Sequence, residues 1–437
     1  MKNIILLHLE SLNTVTWNNH GKWFAHLNYA VEKGIYFSNY YSSATSTKMV
    51  LADVMYGDMT IFENMHSLKE MYQASPDIEP LFGYLQNHGY RTKCFYQSWN
   101  TVGDFANSHK LFFADSQSWD GDDSVEFERE LEDSVSTHKP FAFFVADASS
   151  HVSYCGKRYD NEIEPCNQYK ARFQRLDKTV GIIFDTLRKN NCLDNTVIVM
   201  YGDHGDDYWF HSFHDGYTHA IEPFSDICHC PLIVYNASKN LISDLPCDSL
   251  LSSIDIRKII MNCLELEKDV PHHKYVFSRN LFAAQTKKEK VFIKSYAVRN
   301  GTYLLLCDNK GYSMYIEDSD PYSMNNVLRF FKFDGTKLKY NDVFEETLSK
   351  HFEGFFPKEL IKDIEKQFYE LKKELDDFLV GINVNISKKY RIQGVDRRIN
   401  QRKQWLHIKR KAKMRIRQWM INTGIIKIYR KIRDWLK

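Results

Sequence analysis

Asn3-Ile4-Ile5-Leu6-Leu7-His8-Leu9-Glu10 is a mostly apolar run that stops on a carboxylate. A short run of this kind reads as a buried strand rather than a helix. A carboxylate that terminates a buried strand is costly unless it is paired or holds a metal ion. Two further runs end in the same way. Phe141 to Ala146 leads into Ser149-Ser150-His151, and Val197 to Tyr201 leads into Asp203 and His204. A fourth run, Leu232 to Tyr235, completes the strand candidates of this half of the chain.

Helical patterns separate these strands, notably at residues 78–87 and 167–190. In the latter Phe173, Leu176, Val180, Ile183 and Leu187 recur at steps of three and four. Alternation of strand and helix predicts an α/β fold with a largely parallel central sheet flanked by helices. The functional site of such a sheet lies beyond the carboxyl ends of its strands. From about residue 274 the pattern changes to short polar-flanked strands, Tyr296 to Arg299, Tyr303 to Leu306 and Ser313 to Ile316. They are separated by Asn300-Gly301 and Lys310-Gly311, which are hairpin signals. The expected organisation is a catalytic core over 1–270, a small C-terminal β-rich subdomain over 271–345, a connecting helix over 346–386, and a basic amphipathic helical tail over 387–437. No internal repeat is visible.

The net charge of +2 conceals a polarity. Residues 388–437 carry 18 Lys or Arg against Asp396 and Asp434, which leaves 40 basic and 54 acidic residues in the body. Within the tail Trp405, Ile408, Ala412, Ile416 and Trp419 follow helical spacing, as do Ile425, Ile428, Ile432 and Trp435 after Asn422-Thr423-Gly424. An apolar stripe with tryptophan among cations predicts an interfacial helix on an anionic membrane surface. A nucleic-acid tail is also basic, but phosphate binding does not require the apolar stripe, so nucleic acid is the less favoured partner. A helical hairpin packed on the acidic body is the bland alternative. The nine cysteines are odd in number and scattered, which points to a reducing compartment. No export signal is apparent and no apolar stretch is long enough to cross a bilayer. The expectation is a cytoplasmic protein, peripheral on the inner face of the membrane. Cys228-His229-Cys230 matches no common zinc spacing and reads as the approach to a buried strand.

The residues at the strand ends resemble a known superfamily. Asn3 through Leu12 is similar to the opening strand of lipoteichoic acid synthases and related phosphoglycerol transferases, whose glutamate binds the catalytic metal; sulfatases usually carry paired aspartates there. Tyr201-Gly202-Asp203-His204-Gly205 resembles the second metal motif of the sulfatase and alkaline-phosphatase superfamily. Ser253-Ile254-Asp255-Ile256 resembles a late helix start of sulfatases. Tyr315 through Pro321 with Asn325-Asn326 is similar to their C-terminal pattern. The resemblance covers about residues 1–330 and implies an alkaline-phosphatase-like core. It further implies one divalent metal ion (Mn, Zn or Mg) held by Glu10, Asp203, His204 and a nucleophile oxygen.

In sulfatases the modified cysteine or serine lies ten residues before a helix-closing glycine, and Thr47 stands at that position before Gly57. The segment Ser42 to Lys48 has no cysteine, and the threonine at position 47 cannot be oxidised to formylglycine. The phosphoethanolamine transferases and lipoteichoic acid synthases that this segment resembles use an unmodified threonine. A hydroxyl is a poor nucleophile until coordination activates it. Thr45 and Ser46 are alternatives, and a Ser/Thr run before a helix is also an ordinary N-cap. Lys48 is either a substrate-charge neutraliser or a solvated lysine. His151 matches the superfamily histidine that touches the transferred group, and His219 in Thr218-His219-Ala220-Ile221-Glu222-Pro223 is the second candidate for substrate binding or proton transfer. His211 and His214 compete with it. The resulting expectation is a sulfatase-like enzyme that transfers a phosphate-type head group, for example phosphoethanolamine or phosphoglycerol, to a surface-glycan or lipid-linked acceptor through a threonine intermediate. The alternatives are a sulfate- or phosphate-ester hydrolase and, from another class, a catalytically degenerate binding or scaffold protein.

Overall fold

The computed structural model describes residues 1–63, 70, 76–97, 115–119, 124–137, 139–151, 167–208, 211, 217–281, 294–308, 311–341 and 358–384, with 412, 415, 416, 419 and 423 in the tail. Seven strands form the main sheet, in the order Ile35–Phe37, Leu232–Tyr235, Thr196–Gly202, Asn3–Leu9, Phe141–Asp147, Arg91–Gln97 and Ser116–Trp119. Asn3–Leu9 lies at the centre, parallel to Phe141–Asp147 on one side and Thr196–Gly202 on the other. Leu232–Tyr235 alone runs against its neighbours, pairing antiparallel with both Thr196–Gly202 and Ile35–Phe37.

Every residue of Asn3–Leu9 is buried because both sheet faces are covered. The period of two sends Ile5, Leu7 and Leu9 into one apolar cluster with Phe173, Leu176, Val180, Ile183 and Leu187 of helix Asn167–Lys189. Ile4 and Leu6 enter the opposite cluster with Val50, Leu51 and Val54 of helix Thr47–Tyr56. The helix expected over 78–87 begins only at Leu81. Pro80 precedes it in an extended conformation, and a proline disfavours helical geometry in the residue before it.

The C-terminal part is an antiparallel meander of Val276–Asn280, Ser295–Arg299, Tyr303–Asp308 and Gly311–Ile316. Gly301 turns the second hairpin at φ +88°, a conformation that favours glycine. Helix Lys358–Gly381 covers this sheet with Ile364, Phe368, Leu371, Leu375 and Leu379, all buried at spacings of three and four. Residues 346–357 of the expected helix lie outside the described residues. The apolar cluster runs unbroken from Ile4 to Ile382, so meander and core share one interior.

In the tail, Ile416 and Trp419 are helical and exposed. Trp405, Ile408, Ile425, Ile428, Ile432 and Trp435 lie outside the described residues. No helix among the described residues is long and apolar enough to cross a membrane.

A buried ion network joins the two parts. Arg279, fully buried on the first meander strand, donates to both carboxylate oxygens of Asp53 at 2.6 and 2.9 Å and lies 2.9 Å from Glu63. Asp53 also accepts from Ser43 at 2.5 Å. It therefore clamps the helix that starts at Thr47 to the meander. Replacing Asp53 with Ala leaves the guanidinium only the Glu63 carboxylate and the Ser43 carbonyl, and breaking a buried pair in this way costs roughly 3–5 kcal/mol. Equilibrium urea unfolding of Asp53→Ala is expected to show a loss of that size, and a loss within error of zero would show that the clamp carries no stability.

Candidate metal centre and active site

The register of the three central strands puts Leu9 opposite both Asp147 and Gly202, so the residues that follow each strand meet at one sheet edge. Ser11, at φ +54°, turns the chain sharply after Glu10 and donates its backbone N–H to Asp203 Oδ1 at 2.9 Å. A non-glycine residue held in that region is the kind of strain found at functional sites. Gly202 and Gly205 have no room for a side chain. A Cβ on Gly202 would overlap the Leu12 carbonyl, and one on Gly205 the Asp226 carbonyl. The two glycines around Asp203-His204 are thus demanded by close backbone approach.

Thr47 opens helix Thr47–Tyr56, and its hydroxyl sits at the convergence of these strand ends. Thr47 Oγ1 donates to Glu10 Oε1 at 3.1 Å and lies 3.0 Å from His204 Nε2. His204 Nδ1 is 2.9 Å from the Gly205 carbonyl. The proton on Nδ1 donates to that carbonyl, which leaves the Nε2 lone pair facing Thr47 and Asp203, whose Oδ2 is 3.2 Å away. Glu10, Thr47, Asp203 and His204 therefore direct lone pairs at one another, as the sequence predicts. Among the described residues Asp203 Oδ2 is buried and makes no hydrogen bond. Thr45 and Ser46 make no such contacts with Glu10 or His204: Thr45 is buried with its hydroxyl unbonded, and Ser46 sits at the helix N-cap position. Lys48 follows Thr47 in the first turn and is half-buried.

His8 belongs to the same cluster. Its Nε2 is 3.2 Å from Glu10 Oε2 and 3.6 Å from Asp203 Oδ2, and its Nδ1 is 3.1 Å from the Tyr201 hydroxyl. The sequence carried a usable signal for it, since residues two apart on a strand share a face. Burial and the neighbouring Glu10 carboxylate push the Asp203 carboxyl above its usual range. Burial would raise Glu10 too, but the His8 hydrogen bond and the surrounding histidines hold it well below the carboxylate range.

Three imidazoles line the same place. The rings of His204 and His219 lie 4.3 Å apart, and those of His151 and His219 5.1 Å apart. His219 Nδ1 is 2.8 Å from Asp206 Oδ1, while Asp206 Oδ2 accepts from the Tyr169 hydroxyl at 2.7 Å. This Tyr169–Asp206–His219 chain is absent from the sequence reading, because Tyr169 comes from a helix on a distant stretch of chain. Burial acts to lower the His219 pKa, but the Asp206 carboxylate outweighs it and raises it. Burial pushes His151 down to about 4 despite the nearby Glu10. A cation-prone His219 beside a neutral His151 suits an anionic ester oxygen.

His211 is not part of this group; it is buried beside Asp207 and Asp226. His214 lies outside the described residues. Cys228 and Cys230 are buried, and His229 bonds the Ser38 carbonyl at 2.7 Å and stacks on Tyr41, so the Cys-His-Cys segment is structural.

Asp203 supplies a test of the electrostatics. An amide in its place still accepts the Ser11 N–H but removes one of two crowded buried carboxylates. In the presence of a chelator, Asp203→Asn is expected to melt at a higher temperature than the native chain, measured by circular dichroism. A lower melting temperature would mean that the carboxylate is already compensated without metal.

The family model described as Sulfatase matches residues 2–240, more than half of the chain. No curated protein matches the sequence. Among solved structures, the putative sulfatase yidJ from Bacteroides fragilis is similar with a TM-score of 0.59 and 14% identity, over 90% of this chain and 98% of that one. A protein from the glycosaminoglycan-metabolising core locus of Bacteroides thetaiotaomicron gives a TM-score of 0.53 and 13% identity, over 84% and 99%. The lipoteichoic acid synthase LtaP from Listeria monocytogenes gives 0.53 and 15%, over 72% and 85%. At these identities the structures establish a shared fold, and the family match adds the rest: this chain belongs to the sulfatase family of the alkaline-phosphatase superfamily and is an enzyme of that family.

Proposed function

We propose that this enzyme cleaves a phosphate- or sulfate-type ester with Thr47 as its nucleophile. The observation that carries the reading is the Thr47 hydroxyl, placed between Glu10 at 3.1 Å and His204 Nε2 at 3.0 Å. The unbonded buried oxygen of Asp203 and the mixture of carboxylate, hydroxyl and imidazole donors fit one divalent cation, Mn, Zn or Mg. Glu10, Thr47, Asp203 and His204 are the residues that would hold it, with His8 behind them. Bound there, such an ion supplies positive charge that favours the alkoxide form of a coordinated hydroxyl.

In this reading Thr47 Oγ forms a bond to the phosphorus or sulfur of the ester, and the bond from that centre to the leaving oxygen breaks. His219, held by Asp206, donates the proton that the leaving oxygen needs. His151 binds an oxygen of the transferred group. An acceptor O–H then gives its proton back to His219 as its oxygen displaces Thr47. A threonine cannot be oxidised to formylglycine at this position, and an unmodified threonine favours phosphate chemistry over ordinary sulfatase chemistry.

Water as acceptor makes the enzyme a hydrolase, which is the reading closest to the family match. The second reading is transfer of a phosphate-type head group such as phosphoethanolamine or phosphoglycerol to a surface-glycan or lipid-linked hydroxyl. It is supported by Glu10 together with Thr47, and by likeness of fold to a lipoteichoic acid synthase. Fold likeness to a protein of glycosaminoglycan metabolism supports a glycan-linked ester in either case. The exposed Ile416 and Trp419 and the basic tail support attachment to the inner, anionic face of a membrane, in a cytoplasmic setting.

Thr47→Ala is expected to lower turnover of a soluble phosphodiester by at least about 10³-fold, the scale on which losing a nucleophile acts. It should also abolish a covalent adduct in intact-protein mass spectra. An adduct that persists and maps to Thr45 or Ser46 would move the nucleophile. Product analysis with and without added glycan hydroxyls separates transfer from hydrolysis.

Removal of residues 388–437 is expected to release the protein from anionic vesicles while turnover of the soluble ester continues. The intact protein should float less at high salt, because screening weakens an attraction of roughly 1 kcal/mol per basic residue. Equal flotation of both forms would refute the membrane attachment.

A further inference from the structure

A second group of metal-competent side chains lies beyond the catalytic loop and shares no residue with the first. Asp207, His211 and Asp226 are all buried, with one ligand atom of each within 4.8 Å of the others. Asp226 is 1% exposed, yet neither of its carboxylate oxygens makes a hydrogen bond among the described residues, and Asp207 Oδ2 makes none either. His211 Nδ1 is 3.7 Å from Asp207 Oδ1, beyond hydrogen-bond reach. The ring is held from its other sides. It stacks on Phe224 at 3.8 Å and 7°, and its Nε2 lies 3.4 Å from the Ser323 carbonyl. That leaves Nδ1 on the side of Asp207, the orientation a ligating histidine takes when its other nitrogen faces a carbonyl.

Asp207 Oδ1 accepts from the His211 backbone N–H at 3.2 Å, but the other three oxygens of the two buried carboxylates make no hydrogen bond among the described residues; that is expensive, and a divalent cation removes the cost with one particle. We propose that Asp207, His211 and Asp226 form a second divalent-cation site, with the oxygen and imidazole donors that suit Mn²⁺ or Zn²⁺. Its place in the fold gives it a role. Asp207 follows directly from the loop that carries Asp203, His204 and Asp206. Asp226 stands on helix Ser225–Cys228, whose Ser225 binds Ser323 Oγ at 2.9 Å and Glu317 at 2.8 Å. The backbone around it closes on the same loop, with the Gly205 N–H donating to the Ile227 carbonyl at 2.7 Å and Asn13 Nδ2 donating to the Asp226 carbonyl at 2.5 Å. A cation here pins the catalytic loop to the C-terminal meander and contacts no reacting atom.

The test is metal content of the full chain, stripped with chelator, re-equilibrated with Mn²⁺ or Zn²⁺ and freed of excess ion. Two ions per chain are expected. Asp226→Asn, which keeps the size of the side chain, should retain one, and Asp203→Ala should retain one. His211→Gln repeats the measurement with a different ligand should Asp226→Asn fold poorly. Two ions retained in both Asp226→Asn and His211→Gln, or a single ion in the native chain that only Asp203→Ala removes, overturns the second site and leaves the proposed catalytic centre standing. A single ion lost in Asp226→Asn but kept in Asp203→Ala supports the second site and removes the metal from the catalytic one. A native chain that takes up neither ion overturns both assignments.

Discussion

Everything in the site depends on three parallel strands held in one register. With Leu9 level with Asp147 and Gly202, the chain must place Glu10 and Asp203 side by side at the end of a sheet covered on both faces. Two buried carboxylates at that spacing repel each other and have lost their water. The surroundings divide the burden unevenly. His8 and the other histidines keep Glu10 ionised, whereas Asp203 is pushed toward its protonated form and keeps one oxygen unbonded. The electrostatic tension is a consequence of topology, and a cation is the ligand that resolves it.

The Thr47 hydroxyl, proposed above as the nucleophile, reaches this edge by a different route. Thr47 begins a helix that packs on the Ile4 and Leu6 face of the central strand, and its position is secured from below by Asp53 and from the side by Arg279 of the meander. The C-terminal sheet therefore takes part in holding the hydroxyl in place although it contributes no reacting group. Arg299 works in the same way lower down. It is fully buried, 3.1 Å from Glu317, and bonded to Ser278 and to the Pro223 carbonyl, which ties the meander to the segment following His219.

The imidazoles give the site its polarity toward substrate. Asp206 receives donors from both Tyr169 and His219, which holds its carboxyl below the usual range, and its carboxylate in turn raises the His219 pKa. Burial pushes His151 the other way, down to about 4 despite the nearby Glu10 carboxylate. Under the proposed function this division suits His219 to donating a proton on one side and His151 to binding an oxygen on the other.

The apolar runs Ile4 to Leu9, Phe141 to Ala146, Val197 to Tyr201 and Leu232 to Tyr235 carry their own strand signal, because burial on both faces leaves them almost wholly apolar, with His8 the one imidazole among them. Glu10, Asp203 and His204 were legible for the same reason: a charge that ends such a run stands out against it. The helix Asn167–Lys189 was legible from its period. The sequence by itself thereby determined the α/β class and that Glu10, Asp203 and His204 meet at one strand edge. It favoured Thr47 over Thr45 and Ser46 only by the spacing to Gly57, since all three cluster at the start of one helix and the packing of that helix decides which hydroxyl meets Glu10. Tertiary structure alone also decided that Leu232–Tyr235 runs antiparallel, that Tyr169 and Asp206 stand behind His219, and that His211 joins Asp207 and Asp226 instead of His151 and His219. Each of these rests on contacts between residues far apart in the chain or between neighbours turned to opposite sides of a loop. Local periodicity reports which residues are buried, not what they are buried against.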